Sequence, residues 1–134
     1  MQNFSIPFSG ILAETDIPNV ILTSRNVENG EKVKNELKEK DRRRVTVMQL
    51  DILSNDSVES FKRSIESQFG GFDILVQNSG IAPEITKPSV ESLAQTIETN
   101  FLGTFRVLRA LFPLVRTNGK DINNIISYQK KYLT

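Results

Sequence analysis

Residues Phe72-Asp73-Ile74-Leu75-Val76-Gln77-Asn78-Ser79-Gly80 hold an apolar run that stops abruptly at polar and small residues. A short apolar run bounded by turn formers is the pattern of a buried strand, and Gln77 to Gly80 suit a loop leaving its carboxyl end. On both sides of this stretch the apolar spacing switches between the short run of a strand and the wider period of a helix.

Upstream, Val20 to Thr23 is a β-branched apolar run between Pro18-Asn19 and Ser24-Arg25-Asn26, and a helix should follow it. Asn26 can cap that helix, Glu28 and Glu31 sit near its start, and Gly30, Val33 and Leu37 form one stripe. Gly30 weakens the helix but permits close approach to a sheet. The basic run Lys38 to Arg44 reads as a solvated turn rather than a phosphate or nucleic-acid patch. Val45 to Leu50 is a second strand. Ser54, Asn55 and Asp56 offer caps to a helix with Val58, Phe61, Ile65 and Phe69 on one face, ended by Gly70-Gly71.

Downstream, the longest helix opens near Ser89. Its stripe is Leu93, Ile97, Asn100, Phe101, Thr104, Leu108 and Leu111, widened by Phe105 and Phe112, which predicts packing on two neighbours. Pro113 and Gly119 mark its exit, and Ile122 to Ile126 begins a fourth strand. This alternation predicts a doubly wound α/β sheet of parallel strands at about 20–24, 45–50, 73–76 and 121–126, with helices on both faces. Ligands of such sheets bind at the carboxyl ends of the strands, where the loops after Thr23, Leu50, Val76 and Ile126 gather.

Composition narrows the chemistry. The 134 residues contain no cysteine and no histidine, which removes disulfides, thiol catalysis and the common histidine triads and zinc sites. A net charge of +1 gives no global field for nucleic acid or anionic lipid. No apolar stretch approaches membrane-spanning length and the N-terminus lacks a signal-peptide pattern, so the expected compartment is cytoplasmic, with no membrane or nucleic-acid partner.

Four short motifs, in order and on the expected elements, resemble the short-chain dehydrogenase/reductase family and its NADPH-dependent carbonyl reductases. Thr23-Ser24-Arg25-Asn26 is similar to a T-x-R segment, Gln49-Leu50-Asp51-Ile52 to L-D-I/V, Gln77-Asn78-Ser79-Gly80 to N-N-A-G, and Thr99-Asn100-Phe101-Leu102-Gly103-Thr104 to T-N-F-x-G-T. The resemblance spans roughly residues 12 to 127 and implies a Rossmann-like, three-layer αβα fold with NADP as cofactor. It assigns cofactor binding to Arg25, Asp51, Ile52, Asn78 and Gly80. Arg25 suits the 2′-phosphate because a guanidinium pairs bidentately with phosphate. As bland alternatives, Arg25 is a surface cation and Asp51 a turn former. Asn100, an amide on an apolar stripe, must find polar partners. The resemblance puts it in a proton relay, and the alternative is a structural brace. Asn123-Asn124-Ile125-Ile126-Ser127 is similar to an N-V-S-S strand end, which makes Ser127 the second catalytic candidate.

The chain departs from the family in several places. Gln77 and Ser79 replace Asn and Ala, no T-G-x-x-x-G-x-G precedes Val20, and no Y-x-x-x-K follows Ser127; Tyr128 and Lys131 stand three apart. The resemblance therefore implies an incomplete doubly wound sheet, truncated at both ends, as a single partial domain. Residues 1–11 would be foreign to the family and 128–134 a C-terminal tail. The implied parent reaction is hydride transfer to a small-molecule ketone, aldehyde or quinone carbonyl, with weak or absent NADPH binding and no turnover by this chain alone. The rival reading is a non-catalytic module that self-associates through the helix around Leu93 to Phe112. The family's first strand lies between the strands matching Val20 to Thr23 and Phe72 to Val76. Phe4 to Ile6, followed by Pro7 to Asn19 as crossover, is expected to fill that place.

Overall fold

The computed structural model describes residues 16–78, 80–82, 86–117 and 124–129. Strand β1 (Asn19–Ser24) leads into helix α1 (Val27–Asn35), which Asn26 caps by accepting from the backbone N–H groups of Glu28 and Asn29 at 2.8 and 3.4 Å. Gly30 of α1 is buried because a Cβ there would meet Val47 Cγ1 at 2.5 Å, so the absent side chain sets how closely α1 lies on the sheet.

The basic run is more ordered than a solvated turn. It folds as helix α2 (Glu39–Arg42), in which Asp41 is buried and pairs with Arg44 at 2.6 Å. Arg42 donates to the carbonyls of Asn35 and Leu37 at 3.1 and 3.0 Å, closing the C-terminal end of α1. Alternating charge lets this segment satisfy itself, which the count of basic residues alone conceals.

Strand β2 (Val45–Gln49) is followed by helix α3 (Asn55–Phe69), capped by Ser54 and stopped at Gly70 with φ of 68°. Val58, Phe61 and Ile65 are its buried stripe, as the spacing predicts. Strand β3 (Ile74–Asn78) begins and ends later than the apolar run suggests, so Gln77 and Asn78 are strand residues and not loop.

The long helix is three pieces: α4 (Val90–Ile97), a π-helical segment (Glu98–Gly103) and α5 (Thr104–Leu111). Ser89 and Ser92 close a reciprocal cap at its start. Across the π segment Thr99, Gly103, Val107 and Leu111 make the inward row, whereas Leu93, Ile97, Phe101, Phe105, Leu108 and Phe112 are exposed. The expected second neighbour for the apolar face is therefore missing among the described residues.

Strand β4 (Asn124–Gln129) starts later than expected and takes in Tyr128 and Gln129, the first two residues of the anticipated tail. All strand pairs are parallel, in the order β2-β1-β4-β3. The place between β1 and β3, expected for Phe4 to Ile6, is thus held by β4; Phe4 to Ile6 lie outside the described residues. One sheet face, with Ile21, Leu75 and Ile126, packs on α3 and α5, and the other, with Val20, Leu22, Val45 and Val47, faces α1 and Leu37. This is the expected αβα layering.

Candidate nucleotide-binding site

β1 and β2 end side by side, with Ser24 in register with Gln49. Leu50 N–H donates to the Ser24 carbonyl at 3.0 Å, so the two departing loops leave together. Arg25 occupies the first bend after β1 and is exposed. No carboxylate forms an ion pair with it among the described residues.

Asp51 leaves β2 on the adjacent path. Its Oδ1 accepts from the Leu53 N–H at 3.0 Å, the side-chain turn of the bland reading. Its own N–H donates to Ser57 Oγ at 2.8 Å, and that hydroxyl donates to Gln49 Oε1 at 2.9 Å. Asp51 is therefore fixed from both sides, with one carboxylate oxygen spent on the turn. Ile52, which the resemblance assigns to the cofactor, has its side chain turned inward. It is buried in the core, reaching to within 3.0 Å of where a Gly103 Cβ would stand, and its carbonyl accepts from Arg106 Nη1 at 2.6 Å.

Asn100 stands in the π segment and engages the loop after β3. Its Oδ1 accepts from Ile81 N–H and its Nδ2 donates to Ile81 O, both at 2.8 Å. Gly80 lies beside the same amide, which a Cβ would meet at 3.4 Å. Asn100 and Gly80 are thus brought together, and both polar ends of the amide serve the brace. π insertions are frequent at functional sites, because one extra residue re-aims the side chains of the turn.

Asn78 ends β3 in register with Gln129, and Ser127 lies in β4 opposite Leu22 on one side and Val76 on the other. Ser127 is therefore an interior residue of the central strand, away from the strand ends where Arg25 and Asp51 gather. Lys131 and Ser79 lie outside the described residues. Three bracing residues were not legible as such: Ser57, Arg106 and Arg116, which donates to the carbonyls of Phe69 and Gly71 at 2.7 and 3.1 Å. A lone cation between the apolar Phe105 and Val107 was the available signal for Arg106.

The ends of three strands of this parallel α/β sheet carry Arg25, Asp51 and the Gly80 loop that Asn100 braces. The sequence profile of the family described as short chain dehydrogenase matches residues 11–132, and the chain belongs to that family. Among curated relatives, carbonyl reductase (NADPH) 1 of Homo sapiens is 32% identical over 106 residues, covering 78% of this chain and 38% of that protein. Carbonyl reductase (NADPH) 3 of Rattus norvegicus is 31% identical over 77 residues, covering 56% of this chain and 28% of that protein. Among solved structures, menthone neomenthol reductase from Mentha piperita superposes with a TM-score of 0.64 at 27% identity, covering 81% of this chain and 50% of that one. An alcohol dehydrogenase from Thermococcus sibiricus complexed with 5-hydroxy-NADP gives 0.58 at 28% identity, covering 72% and 42%. The chain spans about two fifths of the length of the curated relatives it matches first.

The residues fit the adenosine end of such a cofactor: among the described residues, an exposed guanidinium with no carboxylate partner and a fixed carboxylate with one oxygen outside its turn stand on adjacent loops. Among the described residues no glycine-rich loop stands between β1 and β3, where β4 lies.

Proposed function

We infer that this chain is the adenosine-binding portion of an oxidoreductase of the NADPH-dependent carbonyl reductase type, and that alone it holds NADPH weakly and does not reduce carbonyls. The observation that carries this reading is the pairing of β1 and β2 in a register that delivers Arg25 and Asp51 to one rim. In the parent reaction NADPH held there would supply the hydride for a ketone, aldehyde or quinone carbonyl and leave as NADP+. Arg25 pairs with the 2′-phosphate and Asp51 accepts from the adenine amino group, while Asn100 keeps the Gly80 loop in place by holding Ile81. Ser127 lacks a tyrosine and lysine at the family spacing in this sequence, so no proton donor is assigned. The absence of cysteine accords with a reducing cytoplasmic setting.

Titration with NADPH, NADH and 2′,5′-ADP tests this. The expected NADPH dissociation constant is no tighter than about 0.1 mM, since the pyrophosphate donors are missing. Arg25→Ala should weaken NADPH and 2′,5′-ADP and leave NADH unchanged; equal losses for all three ligands would sink the assignment. A second reading rests on the uncovered apolar row, in which Phe101 is 66% and Phe112 73% exposed. Such a row suits self-association through α4 and α5. Sedimentation of the wild type and of Phe101→Ser decides it: a concentration-dependent dimer lost in the variant supports pairing, and a monomer at all concentrations refutes it.

A further inference from the structure

α3 and α5 lie on the same sheet face, and a groove of about 510 Å3 runs between them. Both helices return from the carboxyl ends of parallel strands, so they run in the same direction and line the groove turn by turn. Asn55 of α3 and Leu102 of the π segment stand at one end, and Lys62 and Arg109 at the other. The step from Asn55 to Lys62 is seven residues, about 10 Å at the rise of an α-helix. Val58 and Ala110 give the groove a buried apolar floor, while Phe105 and Leu102 form an apolar wall that is 56% and 41% exposed. None of Arg25, Asp51 and Gly80 lines it, so the groove is separate from the nucleotide rim.

The charges along this groove are unevenly placed. Arg106 is already committed, through Nη1 to the Ile52 carbonyl at 2.6 Å and through Nη2 to Glu98 at 3.1 Å. Lys62 and Arg109 form no ion pair among the described residues, so two cations share one end of the groove without an acid to pair them. Like charges in one cleft repel, and an anion between them removes that cost. Glu59, three residues before Lys62, repels an anion from the middle of the groove and turns it toward the cationic end. We propose that the groove binds a small amphipathic carboxylate of medium chain length. The carboxylate sits between Lys62 and Arg109, and the tail lies along Phe105 and Leu102 over Val58. An apolar lining with a few polar groups gathered at one end is the usual build of a small-molecule site of this volume.

Titration of the full chain with octanoate, followed by amide NMR spectra, tests this. Saturable shifts are expected at Val58, Phe105 and Ala110. Octanamide keeps the tail without the charge and acetate keeps the charge without the tail, so each should bind about tenfold more weakly or worse. Lys62→Gln and Arg109→Gln should each weaken octanoate about threefold, and together about tenfold, because each cation is partly solvated. Lys62→Arg keeps the charge and should retain binding, and the amides outside the groove report that every variant is folded. Octanamide binding as tightly as octanoate, or an unchanged affinity in the double variant, would overturn the proposal. So would the absence of a saturable shift, or shifts centred on Phe101 and Phe112, since the tail would then lie on the uncovered apolar row instead.

Discussion

Asn100 and Ile81 are joined by a two-ended clamp, one side-chain amide holding both the N–H and the C=O of a single loop residue at 2.8 Å. Nineteen residues separate the partners, so the clamp ties the π segment to the loop after β3. Because neutral hydrogen bonds contribute about 1 kcal/mol each on balance, Asn100→Ala should lower stability by about 1 to 2 kcal/mol. Hydrogen exchange at Ile81 should rise more than at Val107. Asn100→Asp keeps the acceptor and loses the donor, so it should fall between wild type and Ala. Unchanged exchange at Ile81 in both variants would show that the clamp does not hold the loop.

Gly30→Ala tests how closely α1 lies on the sheet. Alanine improves helix propensity by about 1 kcal/mol, but its Cβ would meet the stiff Val47 side chain at 2.5 Å and Ser24 Cβ at 3.2 Å. Overpacking of this kind costs about 1 to 3 kcal/mol, so a net loss is expected in the denaturant midpoint. Val47→Ala in the same chain should recover part of it, a coupling that two independent sites would not show.

The pair Asp41 and Arg44 anchors the entry to β1, since Arg44 also donates to the Ile17 carbonyl at 3.3 Å. Both side chains are mostly buried, at 12% and 15% exposure, so removing the Asp41 charge takes a desolvated ion pair from Arg44. Asp41→Asn should cost about 1 to 3 kcal/mol in urea unfolding. A loss below the error of the midpoint would mean that the pair is replaced by water without penalty.

Arg25→Ala separates ligand chemistry from stability. The side chain is exposed and, among the described residues, forms no ion pair with a carboxylate, so the stability should stay within the range of a surface change, about 0.5 kcal/mol. A large stability loss would make Arg25 a structural residue and any ligand effect indirect.

The helix caps Asn26, Ser54 and Ser89 and the stripe Val58, Phe61, Ile65 were legible because each depends on spacing within a few residues. Arg25, Asp51 and the Gly80 loop were legible as strand-end residues for the same reason. The neighbours of β4 were not, because strand order is decided by contacts between distant segments and leaves no local mark. Asn100 was expected to need a partner because it falls on the apolar stripe; it is exposed in the structure, and the identity of its partner, Ile81, depends on how the chain returns across the π segment. The direction of the Ile52 side chain was not legible either, because its motif runs along the loop while the side chain turns into the core beside Gly103.

The position of β4 also bears on how the chain is made. β1 and β3 become neighbours only through a strand that emerges roughly fifty residues after β3. At roughly 5 to 20 residues per second, a nascent chain presents two facing strand edges for several seconds before that strand leaves the ribosome. During that interval the earlier strands are open to any extended segment nearby, and a chaperone that shields strand edges during synthesis should raise the yield of folded protein more than one that acts on the finished chain.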